Sequence, residues 1–236
     1  ALLDPDEPVY AETAKEMIRF GDYLSPRIYN EFWYDKPPVF YWLVVGSLKI
    51  FGGFNELAAR LPAALMAIGS ILMTALAGAR LFGARAGFWS GIVMGTSIIL
   101  MYMGKASVTD STLLFFMTAA LFSFIHRQYW LMYLACGIAV MTKGPIGVVF
   151  PAGIVFFYLL ATRQLEQLFR MHILRGLLLV VAVGLPWYLY MYEVHGMAFI
   201  YEFIGFHNVS RFTAPLHPVR AHWWFYLPVL ILGFFP

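Results

Sequence analysis

Long apolar runs separated by short polar breaks make up most of the chain. A helix that crosses a bilayer needs about 20 mostly apolar residues. Six stretches approach that length: 58–80, 86–104, 108–126, 129–142, 144–161 and 174–192, and a further run starts near Trp223. The fourth and fifth are short and meet at Lys143-Gly144-Pro145, where a helix is expected to end in the interface and Pro145 suits a first helical turn. Residues 38–52 supply only about four turns and finish in Lys49-Ile50-Phe51-Gly52-Gly53, a cation followed by a glycine stop. Ahead of them, Asp6-Glu7-Pro8 reads as a helix entrance, with acids favoured at the positive end. Ala11, Ala14, Met17 and Ile18 then form a narrow apolar face, predicting an amphipathic helix over 8–20 on the membrane surface.

Composition agrees with lipid as the solvent. The chain is 61% hydrophobic and 12% charged, about half the charged share of a soluble domain. Its net charge of +3 is small and its basic residues are scattered, which argues against nucleic acid as a partner. The single cysteine, Cys136, lies in an apolar run and rules out a disulfide framework or a cysteine metal site. The expected fold is an all-α, polytopic membrane bundle. Residues 1–57 would form a first external loop with juxtamembrane helices, 58–192 six transmembrane helices, 193–222 an external loop, and 223–236 the start of another helix. Because the chain opens in polar sequence at Ala1 and stops inside an apolar run at Pro236, it is expected to be a fragment, with at least one helix before it and more after it.

Arginine placement orients this scheme. Arg80 and Arg85, His126 and Arg127, and then Arg163, Arg170 and Arg175 occupy three turns that alternation puts on one side, the cytoplasmic one by the positive-inside rule. This requires 38–52 to lie along the surface without crossing. The opposite, external face then collects Asp4, Asp6, Glu7, Asp35, Lys36, Lys105, Asp110, Lys143, His207, Arg211, His217 and Arg220. Positive charge on that face runs against the usual bias, and a negatively charged lipid head group held there is the simplest explanation.

Three polar motifs carry the candidate chemistry. Asp6, with Glu7 beside it, either caps the first helix or serves as a general base or metal ligand at the lipid surface. Asp35 either caps the 38–52 helix, with Lys36 snorkelling to the interface, or the pair meets a lipid phosphate, with lysine as the point charge. The 193–222 segment carries His195, His207, His217 and His222 in or at its end, and Arg211 and Arg220 suit a phosphate. It reads equally as a wet interfacial loop beside an aromatic belt. Lys105 and Asp110 flank a short turn and read as a simple surface pair. No Walker-type loop, GxSxG or HExxH motif occurs, so ATP use, serine hydrolysis and zincin chemistry lack support.

DPDEPVYAETAKEMIRFGDYLSPR, DKPPVFYWLVVGSLKIFGGFNELAARLPAAL, TKGPIG at 142–147 and HNVSRF…HPVRAHWWFYLPVLILGFFP at 207–236 occur in that order along nearly the whole chain. Together they resemble bacterial lipid-linked-sugar glycosyltransferases of the GT-C fold, the aminoarabinose transferases of lipid A and their protein-O-mannosyltransferase-like relatives. The resemblance implies inverting transfer of a sugar from a polyprenyl-phosphate donor to a lipid, protein or glycan acceptor on the outer face of the bacterial cytoplasmic membrane. By the same resemblance, Asp6 matches the acid at the reacting centre and Lys36 the lysine on the lipid phosphate, with Arg211 a second phosphate contact. Asp35 stands where an acid, often Glu, holds a divalent metal, and His207 or His217 is the matching histidine. Lys143 and Arg220 are further candidate cations for the charge developing on the leaving phosphate. The stretch KASVTDSTL at 105–113 departs from the family's usual Arg-rich turn, so the resemblance carries no role over to Asp110. The competing reading is a non-catalytic transporter or flippase for the same lipids. Transporters place polar groups near the bilayer midplane, whereas here they gather outside the spans.

Overall fold

A computed structural model describes residue 2, residues 6–210 (without the side chains of 207–210), residue 224 and residues 226–235. The described chain is almost wholly helical. The first helix, α1 (Asp6–Phe20), is followed by a two-stranded hairpin, β1 (Arg27–Ile28) and β2 (Glu31–Phe32), and then α2 (Val39–Ile50). The bundle proper comprises α3 (Glu56–Phe82), α4 (Ala84–Thr96), α5 (Ile98–Lys105), α6 (Asp110–Ile125), α7 (Tyr129–Lys143), α8 (Ile146–Ala161), the short α9 (Gln167–Arg170) and α10 (Ile173–His195). After α11 (Met197–Phe199) come a π-helical segment, Ile200–Ser210, and a final helix, α12 (Tyr226–Gly233).

Two of these helices, α3 and α10, are long and apolar enough to cross a membrane, and the α4–α5 pair joins them if it counts as one bent span. The protein is thus a multi-pass membrane protein. At 15 or 16 residues, α6, α7 and α8 rise only about 24 Å, less than the ~30 Å of bilayer hydrocarbon. The six predicted runs all fold as helical segments at nearly the expected places, but their lengths do not by themselves make six spans.

Four features differ from the sequence-based expectations. First, the run 86–104 is broken: α4 and α5 meet at a 63° bend. No proline is present. Instead Ser97 takes an extended conformation, and the hydroxyls of Thr96 and Ser97 donate to the carbonyls of Ile92 (2.7 Å) and Met94 (2.8 Å), satisfying acceptors a continuous helix would have used. Second, the apolar face of α1 meets protein. Ala11, Ala14 and Met17 are buried with Tyr10 in a core shared with Phe40, Tyr41 and Val44 of α2, and only Ile18 looks outward. Two alanines let the helices approach closely, so α2 supplies the apolar cover that lipid was expected to give. Third, the 193–222 segment is helical through Ser210; only Gly196, in a left-handed conformation, interrupts it. Fourth, the 27–32 hairpin was not anticipated. Its turn residues Tyr29 and Asn30 both have positive φ, the signature of a tight two-residue hairpin. The Glu16 carboxylate holds the turn by accepting the Asn30 N–H at 3.0 Å.

The polar puzzle at 35–38 is resolved locally. α2 has 12 residues, about 18 Å, too short to span. Its start has no side-chain cap, so Asp35 does not cap it. Its end is the expected glycine stop: Gly52, with φ +70°, donates to Lys49 and Gly53 to Leu48, the paired bonds of a Schellman ending.

Small residues bring the bundle together. A Cβ on Gly87 of α4 would collide with backbone atoms of Ala75 and Ala79 in α3, and one on Gly147 of α8 with the backbone of Ala139 and Val140 in α7. In lipid, where no hydrophobic drive pulls helices together, such close backbone contact is a principal source of association. The bundle has two distinct ends. The starts of α3, α6 and α8 and the ends of α5, α7 and α10 lie with α1 and α2, whereas the turns bearing Arg80, Arg127 and Arg163 lie at the other.

Candidate active site

The polar residues of the first end are organised as acid–base pairs that tie different elements together. Glu7 is buried and accepts from Arg60 twice, from Nε at 2.8 Å and from Nη2 at 2.7 Å. It also accepts the backbone N–H of Ser107 at 2.7 Å, and the Ser107 hydroxyl donates to the Ala59 carbonyl at 2.8 Å. This planar, two-pronged pairing is the strong form of a carboxylate–guanidinium contact. It fastens the first turn of α1 to α3 and to the 106–109 turn. α3 is itself started by Asn55, whose side chain accepts the Ala58 N–H at 2.8 Å. The expectation of Glu7 as a catalytic group meets a different geometry: its oxygens are engaged in positioning α1. Asp6, one residue earlier, opens the helix and is exposed.

The second pair is Asp35–Lys36. Lys36 Nζ donates to Asp35 Oδ1 at 2.7 Å and to the Asp35 carbonyl at 3.3 Å, with both side chains only 9% exposed. Lys36 therefore does not snorkel. Burial removes both charges from water, a cost that mutual attraction offsets only with good geometry.

The third pair corrects an expectation. Asp110, at the first turn of α6, does not pair with Lys105. It accepts from Lys143 Nζ at 2.6 Å, at the end of α7. Here α7 stops at Gly144, with φ +92°, which leaves the Lys143 side chain facing the start of α6.

Tyr10 links these pairs. Its ring packs edge-on against Phe40, with centroids 5.7 Å apart. Burial, then the negative charge of Asp35, pushes its hydroxyl above the ordinary tyrosine range; Asp6 and Asp110 add to the effect and the neighbouring Thr109 hydroxyl works against it. Asp6, Asp35 and Asp110 thus all lie near enough to act on one hydroxyl. Beside it, burial raises Tyr41 strongly as well, with Tyr10 and Asp35 contributing.

One apolar cavity reaches the cluster at Asp110, and a second lies beside α2. The first, of about 780 Å³, is lined by Trp89, Val93, Met94, Leu100 and Met103 and includes Asp110 and Ser111 in its wall. The other, of about 540 Å³, lies between α2, α7 and α10, lined by Val39, Trp42, Met141, Trp187 and Tyr190. α10 is secured there by Trp187 Nε1, which donates to the Leu24 carbonyl at 2.8 Å, and by His195, whose Nε2 is 3.0 Å from the Ser25 hydroxyl.

Of the predicted site residues, the structure brings Asp6, Glu7, Asp35, Lys36 and Lys143 to one end. Arg211, His217 and Arg220 lie outside the described residues, as does the side chain of His207, whose backbone belongs to the π-helical segment. Among the described residues no three His, Cys, Asp or Glu side chains gather to hold a metal, and Asp35 is the one expected ligand whose side chain is described. Sequence reasoning missed Arg60, Ser107 and Tyr10 and gave Asp110 no role. An arginine at the mouth of an apolar run needs a buried acid nearby, and that signal could have found Arg60.

A helical membrane bundle with three ion pairs and apolar cavities at one end defines the class of the protein: an all-α integral membrane protein with a polar cluster beside lipid. The chain matches the family model described as dolichyl-phosphate-mannose-protein mannosyltransferase over residues 35–190, and it belongs to that family. It is 34% identical to an uncharacterised protein of Aquifex aeolicus, with 100% of this chain aligned to 48% of that one. With the undecaprenyl phosphate-alpha-4-amino-4-deoxy-L-arabinose arabinosyl transferase of Pectobacterium carotovorum it shares 32% identity, over 100% of this chain and 44% of the relative. The crystal structure of ArnT from Cupriavidus metallidurans bound to undecaprenyl phosphate superposes with a TM-score of 0.90 at 28% identity, covering 99% of this chain and 44% of that one. The chain spans about half the length of the curated relatives it matches. The fold is therefore that of a lipid-linked-sugar glycosyltransferase of the GT-C type.

Proposed function

We propose that this chain forms the donor-binding part of a glycosyltransferase that moves a sugar from a polyprenyl phosphate to an acceptor at the outer face of the bacterial inner membrane. The observation that carries the reading is the collection of Asp35–Lys36, Asp110–Lys143 and Asp6 at one end of the bundle, where an apolar cavity reaches Asp110 and another lies beside α2. Family membership and the likeness to a structure that binds undecaprenyl phosphate support the choice of donor. In the reaction, an acceptor oxygen bonds to the anomeric carbon as the bond from that carbon to the phosphate oxygen breaks. The polyprenyl phosphate leaves with the bonding electrons. Lys36 and Lys143, with Arg211 and Arg220, stabilise that charge where low dielectric strengthens each contact. Asp6 takes the proton of a hydroxyl acceptor; an acceptor that is already an ionised phosphate needs no base, and Asp6 then faces positive charge on the sugar. The two cavities suit two apolar chains, one per substrate, so a lipid acceptor fits better than a protein or glycan. A divalent metal held by Asp35 with His207 or His217 belongs to the same proposal and is tested by chelation and metal add-back. The arginine-rich opposite end supports a cytoplasmic placement for that end and an external one for the site.

The test uses membranes containing the full-length protein and radiolabelled polyprenyl-phosphate sugar. Label is expected in lipid, and Lys36→Ala should lose donor binding together with transfer. Donor that crosses the membrane uncleaved would favour the flippase reading. Donor binding and turnover near wild type in Lys36→Ala would return Lys36 to a structural role.

A further inference from the structure

At the end of the bundle opposite the site, α6 and α8 close in the same way. Arg127 has φ +57° and donates to the Phe124 carbonyl, and Gln128 donates to Ser123. Arg163 has φ +57° and donates to Leu160, and Gln164 donates to Leu159. Both are Schellman endings whose left-handed position normally belongs to glycine, as α2 shows with Gly52. An arginine is sterically disfavoured there. Strained backbone held by its surroundings is a pointer to function, and here the same costly residue is used twice, each time followed by glutamine.

Between these two endings lies an apolar slot of about 320 Å³, walled by Leu81 of α3, Leu121 and Phe124 of α6, and Ile154 of α8, with Arg127 and Gln164 at its polar rim. The surrounding turns hold six arginines, at 80, 85, 127, 163, 170 and 175, against one carboxylate, Glu166. None of the six forms an ion pair among the described residues. A slot that takes an apolar chain, with the Arg127 guanidinium at its rim and further unpaired arginines in the adjoining turns, has the chemistry of an anionic phospholipid and not of a zwitterionic one. We infer that this slot is a second lipid site, separate from the donor site. One acyl chain of an anionic phospholipid lies between α3, α6 and α8, and its phosphate rests on Arg127 with Arg163 close by. The charge is what singles out a lipid over another protein segment as the occupant.

Glycine substitution makes the test clean, because Arg127→Gly and Arg163→Gly remove charge while giving each turn its preferred residue. Purified full-length protein in neutral detergent is titrated with dioleoyl phosphatidylglycerol, dioleoyl phosphatidylcholine or inorganic phosphate, and thermal unfolding and lipid retention are followed. Phosphatidylglycerol alone is expected to raise the unfolding temperature, and retention should weaken about fivefold per arginine removed, roughly 25-fold in the double variant. Without lipid, the double variant should unfold no lower than the unmodified protein. An equal response to phosphatidylcholine, an unchanged phosphatidylglycerol response in the double variant, or no response in the unmodified protein would overturn the site. A shift with inorganic phosphate alone would reduce it to a headgroup contact without the slot.

Discussion

Glu7→Gln separates a positioning role from a catalytic one. Glu7 is 1% exposed, and its carboxylate receives at least three hydrogen bonds, two from Arg60 and one from Ser107. A glutamine of the same shape offers one oxygen and one NH₂ group, so at least one donor of Arg60 or Ser107 meets another donor. Breaking a buried ion pair by altering one partner commonly costs about 3–5 kcal/mol. The Arg60 side chain is 31% exposed and partly solvated once released, which lowers the expected loss to about 2–3 kcal/mol. For a chain of this size that corresponds to a fall of roughly 5–10 °C in unfolding temperature. The assay is thermal unfolding of the full-length protein in detergent alongside sugar transfer at a temperature well below both transitions. Stability should fall as stated, and transfer should fall with it as the first turn of α1, and Asp6 with it, loses its anchor. An unchanged unfolding temperature with abolished transfer would refute the structural reading and make Glu7 a catalytic residue.

Other outcomes follow from the same geometry. Asp110→Asn releases Lys143 from its 2.6 Å partner, so donor-lipid binding should tighten or hold while transfer falls at least tenfold; weaker binding measured by lipid competition would show that the pair positions α6 and α7 only. Gly147→Ala drives a methyl group into the backbone of α7 and should destabilise by about 1–3 kcal/mol, read as a lower unfolding temperature; an unchanged value would mean that the α7–α8 contact is loose. Asp22 bears on pH. Burial opposes its charge, but the N–H groups of Ser25 and Leu24 and the nearby Arg27 more than offset this, so its folded pKa lies below the ordinary value. Its stabilisation is therefore complete above the unfolded pKa and is lost as pH falls through the folded one, in the acid range at and below the ordinary aspartate value. Asp22→Asn should flatten the unfolding temperature across that window; an unaltered slope would remove Asp22 as the titrating group.

Periodicity and length made the helices legible, because a 20-residue apolar run has few other uses and the Lys143-Gly144-Pro145 break has no helical reading. The same logic failed at 97, where Thr96 and Ser97 look like ordinary span residues. Their hydroxyls bend the helix only by capturing carbonyls in three dimensions. Asp6 and Lys36 stood out because charge beside a greasy helix is conspicuous. Their partners did not, since Glu7 and Arg60 are 53 positions apart and Asp110 and Lys143 are 33 apart, and spacing along a chain says nothing about which helix ends meet. Local reasoning therefore assigned Asp110 to Lys105, five residues away. Arg127 and Arg163 were legible as basic turns, but their left-handed conformations were not, because arginine gives no hint of positive φ.

Pairing also explains how so polar an end persists beside lipid. A site that waits for an anion needs cations in place before the anion arrives, and an unpartnered buried lysine is costly and sheds its proton readily. Asp35 removes that difficulty for the buried Lys36, whereas Lys143, paired with Asp110, stays partly exposed to solvent. In the proposed reaction, an entering phosphate would compete for the ammonium groups, and the carboxylates it displaced would face the sugar, where positive charge develops as the glycosidic bond breaks. On that proposal the same two pairs would serve opposite charges at successive moments. Glu7 and Arg60 stand apart from this exchange because their two-pronged contact also holds the Ser107 backbone. A pair that fixes three elements resists giving up a partner, which is what an anchor for Asp6 requires.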